Sequence, residues 1–116
     1  MDKKIYVLIV ASIIGVAALY YILNFYQNKK VDIADLKNYM GESVKVEGTL
    51  KTMFISQGGT AFLLLSDVSG DIEVVVFKSS KINVRDLERG SEIAVIGKVQ
   101  EYKGELEIIA KEISEV

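Results

Sequence analysis

The sequence has no cysteine and no histidine. Without cysteine there is no disulfide framework and no thiolate to act as nucleophile or metal ligand. Without histidine as well, zinc and haem lose their usual protein ligands, and acid–base chemistry near neutral pH loses its usual side chain. No nucleophile–base pair can be assembled, and Ser79-Ser80-Lys81 reads as a turn. Phosphate-cradling glycine motifs are missing too: Gly58-Gly59 is followed by neither GxxxxGK nor GxGxxG. Asp67 and Asp71 around Gly70 lack the ligand run of a calcium loop and read as hairpin chemistry. The chain is therefore expected to be neither an enzyme nor a holder of metal or cofactor.

Charge is also missing, over one long stretch. From Ile5 to Asn28 no residue is charged, and lysine pairs (Lys3-Lys4 and Lys29-Lys30) close both ends. Ile5 to Phe25 is interrupted only by Ser12, Gly15, Asn24 and tyrosines. At about 1.5 Å per residue a helix of this length spans the roughly 30 Å hydrocarbon core of a bilayer. Tyr6 near one end and Tyr20, Tyr21 and Tyr26 near the other occupy the positions that amphipathic rings prefer. A cleaved leader would be shorter and would end in small residues, whereas this run ends in Tyr-Ile-Leu-Asn-Phe-Tyr. The stretch reads as a single uncleaved transmembrane helix. Ala11 and Gly15 form a small-xxx-small pair, an ordinary feature of such helices. The balanced lysines give the positive-inside rule no vote on orientation.

Basic residues are scarce in the remainder. From Val31 to Val116 there are 10 basic and 15 acidic residues, net −5. A domain living on phosphate attraction is usually basic, so strong nucleic-acid binding is not expected. Asp32 reads as the N-cap of a short helix, with Leu36 and Tyr39 on its apolar side and Gly41 after its end. Strands follow: Val44–Lys51 with a bulge or bend at Gly48, Ala61–Ser66, Ile72–Phe77, Ile93–Tyr102 and Glu105–Ile113. A short helix capped by Asn83 and stopped at Gly90 is expected between the third and fourth.

The last hairpin fixes its own register. A two-residue turn at Lys103-Gly104 sets Tyr102 opposite Glu105, Val99 opposite Ile108 and Gly97 opposite Ala110. Val95, Gly97, Val99, Leu106, Ile108 and Ala110 then share a buried face, and the small Gly97/Ala110 pair lets the sheet curl. Five strands with a helix between the third and fourth give an all-β, five-stranded OB-fold barrel preceded by the membrane helix. An SH3-like barrel is disfavoured by where the helix falls. The expected divisions are 1–28 as anchor, 29–42 as linker and short helix, and 43–116 as barrel.

The module resembles the OB-fold nucleic-acid-binding family of the anticodon-binding type. The matching pieces are Val44-x-Val46-x-Gly48, Phe62-x-x-Leu65-x-Asp67-x-x-Gly70, Ile72-x-Val74-x-Val76-Phe77, Gly90-x-x-Ile93-x-Val95-x-Gly97-x-Val99 and Gly104-x-Leu106-x-Ile108. In that family an aromatic residue of the second strand stacks on a base and a polar residue of the third reads a base edge. The resemblance places these roles on Phe62 and Glu73. Leu64 and Val75 share their outer face but are apolar where the synthetases tend to be polar. Lys45 and Lys51, Lys98 and Lys103 are the cations expected near it.

The expected function is weak binding of single-stranded RNA or DNA by a membrane-tethered module, through the outer face of strands two and three with the loops at Ser56–Thr60 and Lys103–Gly104. It requires the barrel on the cytoplasmic side of the cell membrane. The alternative is a tethered OB domain that contacts a protein partner and no nucleic acid, through Leu64, Val75 and Ile109. A haem chaperone of similar architecture is disfavoured, because that family attaches haem through a histidine.

Overall fold

The computed structural model describes residues 3–27 and 30–116. Helix α1 runs over Lys3–Gln27, and its window Lys3–Tyr20 is long and apolar enough to cross a membrane. None of that window is buried. Ser12, at its middle, returns its hydroxyl to the Leu8 carbonyl at 2.9 Å, which satisfies the one polar side chain on that turn. The side chains of Tyr6, Tyr21 and Tyr26, and the Asn28-Lys29 exit, lie outside the described residues.

Beyond Lys30 the strands are β1 (Ser43–Ile55), β2 (Ala61–Asp67), β3 (Gly70–Val76), β4 (Glu92–Tyr102) and β5 (Glu105–Glu115). They close into a barrel in the order β1-β2-β3-β5-β4. All neighbours are antiparallel except β3 and β5, which run parallel from Glu73/Glu107 to Val75/Ile109. Closure needs β1 to serve two partners: residues 43–49 pair with β4, and residues 49–55 pair with β2. Gly48 sits at that crossover, where an added Cβ would stand 2.6 Å from the Ser66 carbonyl oxygen. The glycine therefore permits a close backbone approach. The register shift expected at Gly48 falls instead between Leu50 and Thr52, and β1 continues four residues past Lys51, to Ile55.

The hairpin register of β4 and β5 is as the alternation requires, with Val99 against Ile108, Gly97 against Ala110 and Tyr102 against Glu105. Lys103 and Gly104 both have positive φ (53° and 82°), the conformation of a two-residue hairpin turn that follows the strand twist. At Gly97 an added Cβ would overlap the Ile109 carbonyl and lie 2.6 Å from Ile108 Cγ2.

Leu36, Val46, Leu50, Leu65, Val74, Ile93, Val95, Val99 and Ile108 are wholly excluded from solvent in one core. Val31, Ile33 and Leu36 belong to it, so the segment ahead of β1 is part of the barrel's packing. Ile33–Tyr39 forms a 3-10 helix rather than an α-helix, and Asp32 makes no side-chain cap. The cap comes from the β2–β3 turn: Asp67 Oδ2 accepts from the Ile33 N–H at 3.0 Å, and Ser69 Oγ accepts from the Ala34 N–H at 3.0 Å.

The helix expected after Asn83 does not form. A three-residue 3-10 turn, Lys78–Ser80, comes first and ends on Lys81 in the left-handed region. Asn83 then closes a local turn, accepting from the Arg85 N–H at 3.2 Å and donating to Asp86 at 2.8 Å. Ile82, Val84 and Leu87 each reach the core, and the two-residue step from Ile82 to Val84 has the period of extended chain, not of a helix.

Candidate nucleic-acid interface

The barrel's outer surface is ordered by cross-strand registry. One row runs Phe54–Phe62–Val75–Ile109–Lys98, each residue paired with the next across β1, β2, β3, β5 and β4. The next row runs Thr52–Leu64–Glu73–Glu107–Gln100. The first is apolar until it reaches Lys98. The second carries two adjacent carboxylates, Glu73 and Glu107, before it ends at Gln100, whose Nε2 donates to Glu107 at 2.6 Å.

Within this pattern Phe62, Leu64, Glu73 and Val75 form one block on β2 and β3, Phe62 opposite Val75 and Leu64 opposite Glu73. Val75 is 4% exposed yet stands apart from the interior core cluster. It acts as floor beneath Phe62 and Ile109 rather than as an open contact. Phe62 is half-buried and Glu73 is exposed. Among the described residues no cation pairs with Glu73, which leaves it an acceptor suited to an exocyclic amine and unsuited to a phosphate.

The four lysines divide. Lys98 ends the aromatic row. Lys103 lies in the β4–β5 turn with its ammonium 5.4 Å from the Tyr102 ring centroid. Lys45 and Lys51 are not brought to the block. Lys45 lies on the β4 side of β1 and pairs with Glu47 at 3.7 Å. Lys51, in the bulge, lines a cleft with Asp32, Glu47, Asp67 and Glu92.

Phe54 is the residue the sequence reading does not reach. It is 66% exposed, and its ring is stacked on Phe62 with centroids 6.4 Å apart and planes 29° from parallel. Straight alternation from Val44 would bury position 54; the bulge at Lys51 reverses the phase and turns Phe54 out. Phe77, two residues beyond Val75 and still extended (φ −73°, ψ 146°), is 46% exposed. Three phenylalanines in the barrel, none in its core, is costly placement for large apolar rings unless something covers them.

The β2–β3 turn has a supporting role. Asp67 accepts from the Ser69 and Gly70 N–H groups at 2.7 and 3.1 Å as well as from Ile33. Desolvation would raise its carboxyl, but the hydrogen bonds from the Ser69 hydroxyl and from these backbone groups outweigh it and hold Asp67 below the ordinary aspartate value. Among the described residues no cluster of acidic side chains is arranged to hold a metal ion.

Barrel order, strand 1 shared between two partners, and an aromatic outer face on strands 2 and 3 define an OB-fold module. The chain belongs to the tRNA anticodon family of OB-fold nucleic acid binding domains, whose model matches residues 41–116. Solved structures agree on the fold. Asparaginyl-tRNA synthetase from Pyrococcus horikoshii superposes with a TM-score of 0.67 at 22% identity, over 76% of this chain and 22% of that one. Aspartyl-tRNA synthetase from Entamoeba histolytica gives 0.68 at 18% identity, over 77% and 21%. The S. pombe Stn1-Ten1 complex gives 0.59 at 24% identity, over 64% and 57%. The chain thus spans about a fifth of the synthetases' length. No curated protein matches it.

Proposed function

We propose that this chain is a single-pass membrane protein whose OB barrel, on the cytoplasmic side of the cell membrane, binds single-stranded nucleic acid through the outer face of β2 and β3. The observation that carries the reading is the stacked, solvent-facing Phe54–Phe62 pair in register with Val75 and Ile109. A ring platform takes any base by its π-face and contributes about 1–3 kcal/mol per stacked base. Glu73, one row away, accepts hydrogen bonds from a base amine. The net charge of −5 from Val31 onward keeps binding weak and its salt dependence shallow. Tethering offsets the weakness by raising the local concentration of sites. The anchor is argued from α1, apolar and wholly exposed over a bilayer's thickness.

A protein partner is the second reading. It is favoured by the apolar character of the first row and the paired carboxylates of the second, which suit a peptide surface better than a polyanion. The OBody AM1L10 bound to hen egg-white lysozyme shares the fold, at 22% identity and a TM-score of 0.58.

The test is titration of labelled single-stranded RNA and DNA against the full chain in detergent micelles. Phe62→Ala is expected to weaken binding by about 1–3 kcal/mol with the circular dichroism unchanged. Absence of binding at low salt and high protein concentration would remove nucleic acid as the ligand and leave the protein-contact reading.

A further inference from the structure

The end of the barrel beside the aromatic row is unlike the rest of its surface. Ile55, Ala61 and Val76 are the last inward-facing residues there, each one residue along the chain from Phe54, Phe62 or Val75. They border a cleft walled by the β1–β2 loop (Ser56 to Gly59) on one side and by Phe77, Lys78, Asn83 and Arg85 on the other. No carboxylate lines this cleft, although acidic residues outnumber basic ones by five from Val31 onward. The cleft around Lys51, in contrast, has four.

The cations are well placed. The stem of Lys78 lies across Gly59, which has φ +89°, and an added Cβ there would stand 3.0 Å from Lys78 Cδ. The absent side chain at Gly59 is what lets Lys78 lie along the loop. Arg85 is positioned by its own backbone N–H, held at 3.2 Å by Asn83 Oδ1. Asp86, the nearest acid in sequence, has its carboxylate bonded to Asn83 Nδ2. Neither cation has an ion pair among the described residues.

We infer that this cleft is an anion subsite for the sugar–phosphate backbone of a single strand whose preceding bases stack on Phe62 and Phe54. Phe77, exposed between row and cleft, carries the strand round the end of the barrel. The inference rests on the nucleic-acid reading above and adds to it where the phosphates go. Lys78 and Arg85 supply the charge that Lys45 and Lys51, facing elsewhere, do not. Arg85 can grip a phosphate with two parallel N–H donors, while Lys78 contributes a point charge.

The experiment measures the salt dependence of affinity for a labelled oligothymidylate of about 12 nucleotides, with the full chain in detergent micelles. Each phosphate contact in a single strand contributes about −0.7 to the slope of log affinity against log salt. Lys78→Gln/Arg85→Gln is therefore expected to flatten the slope by about 1.4, so that between roughly 50 and 200 mM salt the wild type loses about sevenfold more affinity than the variant. Lys37→Gln/Arg89→Gln, at exposed positions outside the cleft, removes the same net charge and is expected to leave the slope alone. If the two double variants behave alike, overall charge is responsible and the subsite is refuted. If Phe62→Ala weakens binding while the cleft variant keeps the wild-type slope, the stacking face stands and the subsite falls. If the cleft variant loses the slope while Phe62→Ala and Phe54→Ala bind as wild type, the cleft holds phosphates and the stacking face is wrong. If the wild type does not bind, both fall.

Discussion

At the scale of single residues, closure of the barrel depends on side chains that are not there. Gly97 sits against Ala110 beside a shift in the register of β4 on β5, and a methyl group at 97 would collide with the Ile109 carbonyl and Ile108 Cγ2. Both obstacles belong to a strand held by hydrogen bonds on each side, so neither can yield cheaply. Gly97→Ala is expected to destabilise the fold by about 1–3 kcal/mol, the usual cost of overpacking. A urea titration followed by circular dichroism reads it directly, and an unchanged midpoint would show that the strand relaxes freely. The Gly97/Ala110 opposition was legible in the sequence because a two-residue turn leaves only one way to count back from it. Phe54 was not legible, since the Lys51 bulge has no composition of its own: Thr49-Leu50-Lys51-Thr52 alternates as well without it. One inserted residue puts on the surface a phenylalanine that unbroken alternation would have buried.

Among the elements, the short ones are where local signals and tertiary structure part company. β1 and the β4–β5 hairpin were readable from alternation, because burial of one face imposes a period of two, and β2 and β3 as short apolar runs bounded by loop and turn residues. Of the two connecting helices, the one ahead of β1 lies where it was expected, as a 3-10 helix, whereas the one after Asn83 does not form. Asp32 has the right type and place for a cap, yet the 3-10 helix is held by Asp67 and Ser69, more than thirty residues away. Such a cap leaves no local trace in sequence. It also ties the element to pH. Asp67 is held below its ordinary value of 3.8 in the folded state, so its ionised form favours folding. The contribution is complete above that ordinary value and is lost as pH falls through the folded-state value. Asp67→Asn is expected to cost about 1–2 kcal/mol near neutrality, toward the lower part of the range for bonds to a charged group because the turn is open to water. Urea midpoints measured from pH 7 to pH 2.5 should show the two proteins converging on the acid side. A gap that stays constant with pH would mean the carboxylate charge is irrelevant.

For the whole molecule, the relevant boundary is the one between α1 and the barrel. Val31 donates to the Lys45 carbonyl at 2.9 Å, and Ile33 and Leu36 are buried with the strands. A fragment of residues 30–116 is expected to fold as a soluble β-rich monomer, since none of the described α1 side chains belongs to the core. A fragment of residues 43–116 lacks Val31, Ile33 and Leu36 and is expected to be much less stable, the loss of a buried leucine alone costing about 2–5 kcal/mol. Equal urea midpoints for the two fragments would overturn this account of the core. Orientation has its own measurement: in sealed inside-out vesicles a protease is expected to digest the barrel, and digestion from outside intact cells instead would contradict the cytoplasmic placement.

The parallel pairing of β3 with β5 bears on how the protein is made. A ribosome delivers strands in chain order, and β5 is the last of the five, yet it is the only one that joins β3 to β4. Until residues 105–115 emerge, Glu73–Val75 and the inner half of β4 present open edges, which other chains can pair with. Maturation is thus all-or-nothing and late, governed by contacts distant in sequence. A nascent chain stalled before Glu105 is a half-built sheet, a substrate for quality control and not a smaller version of the finished domain.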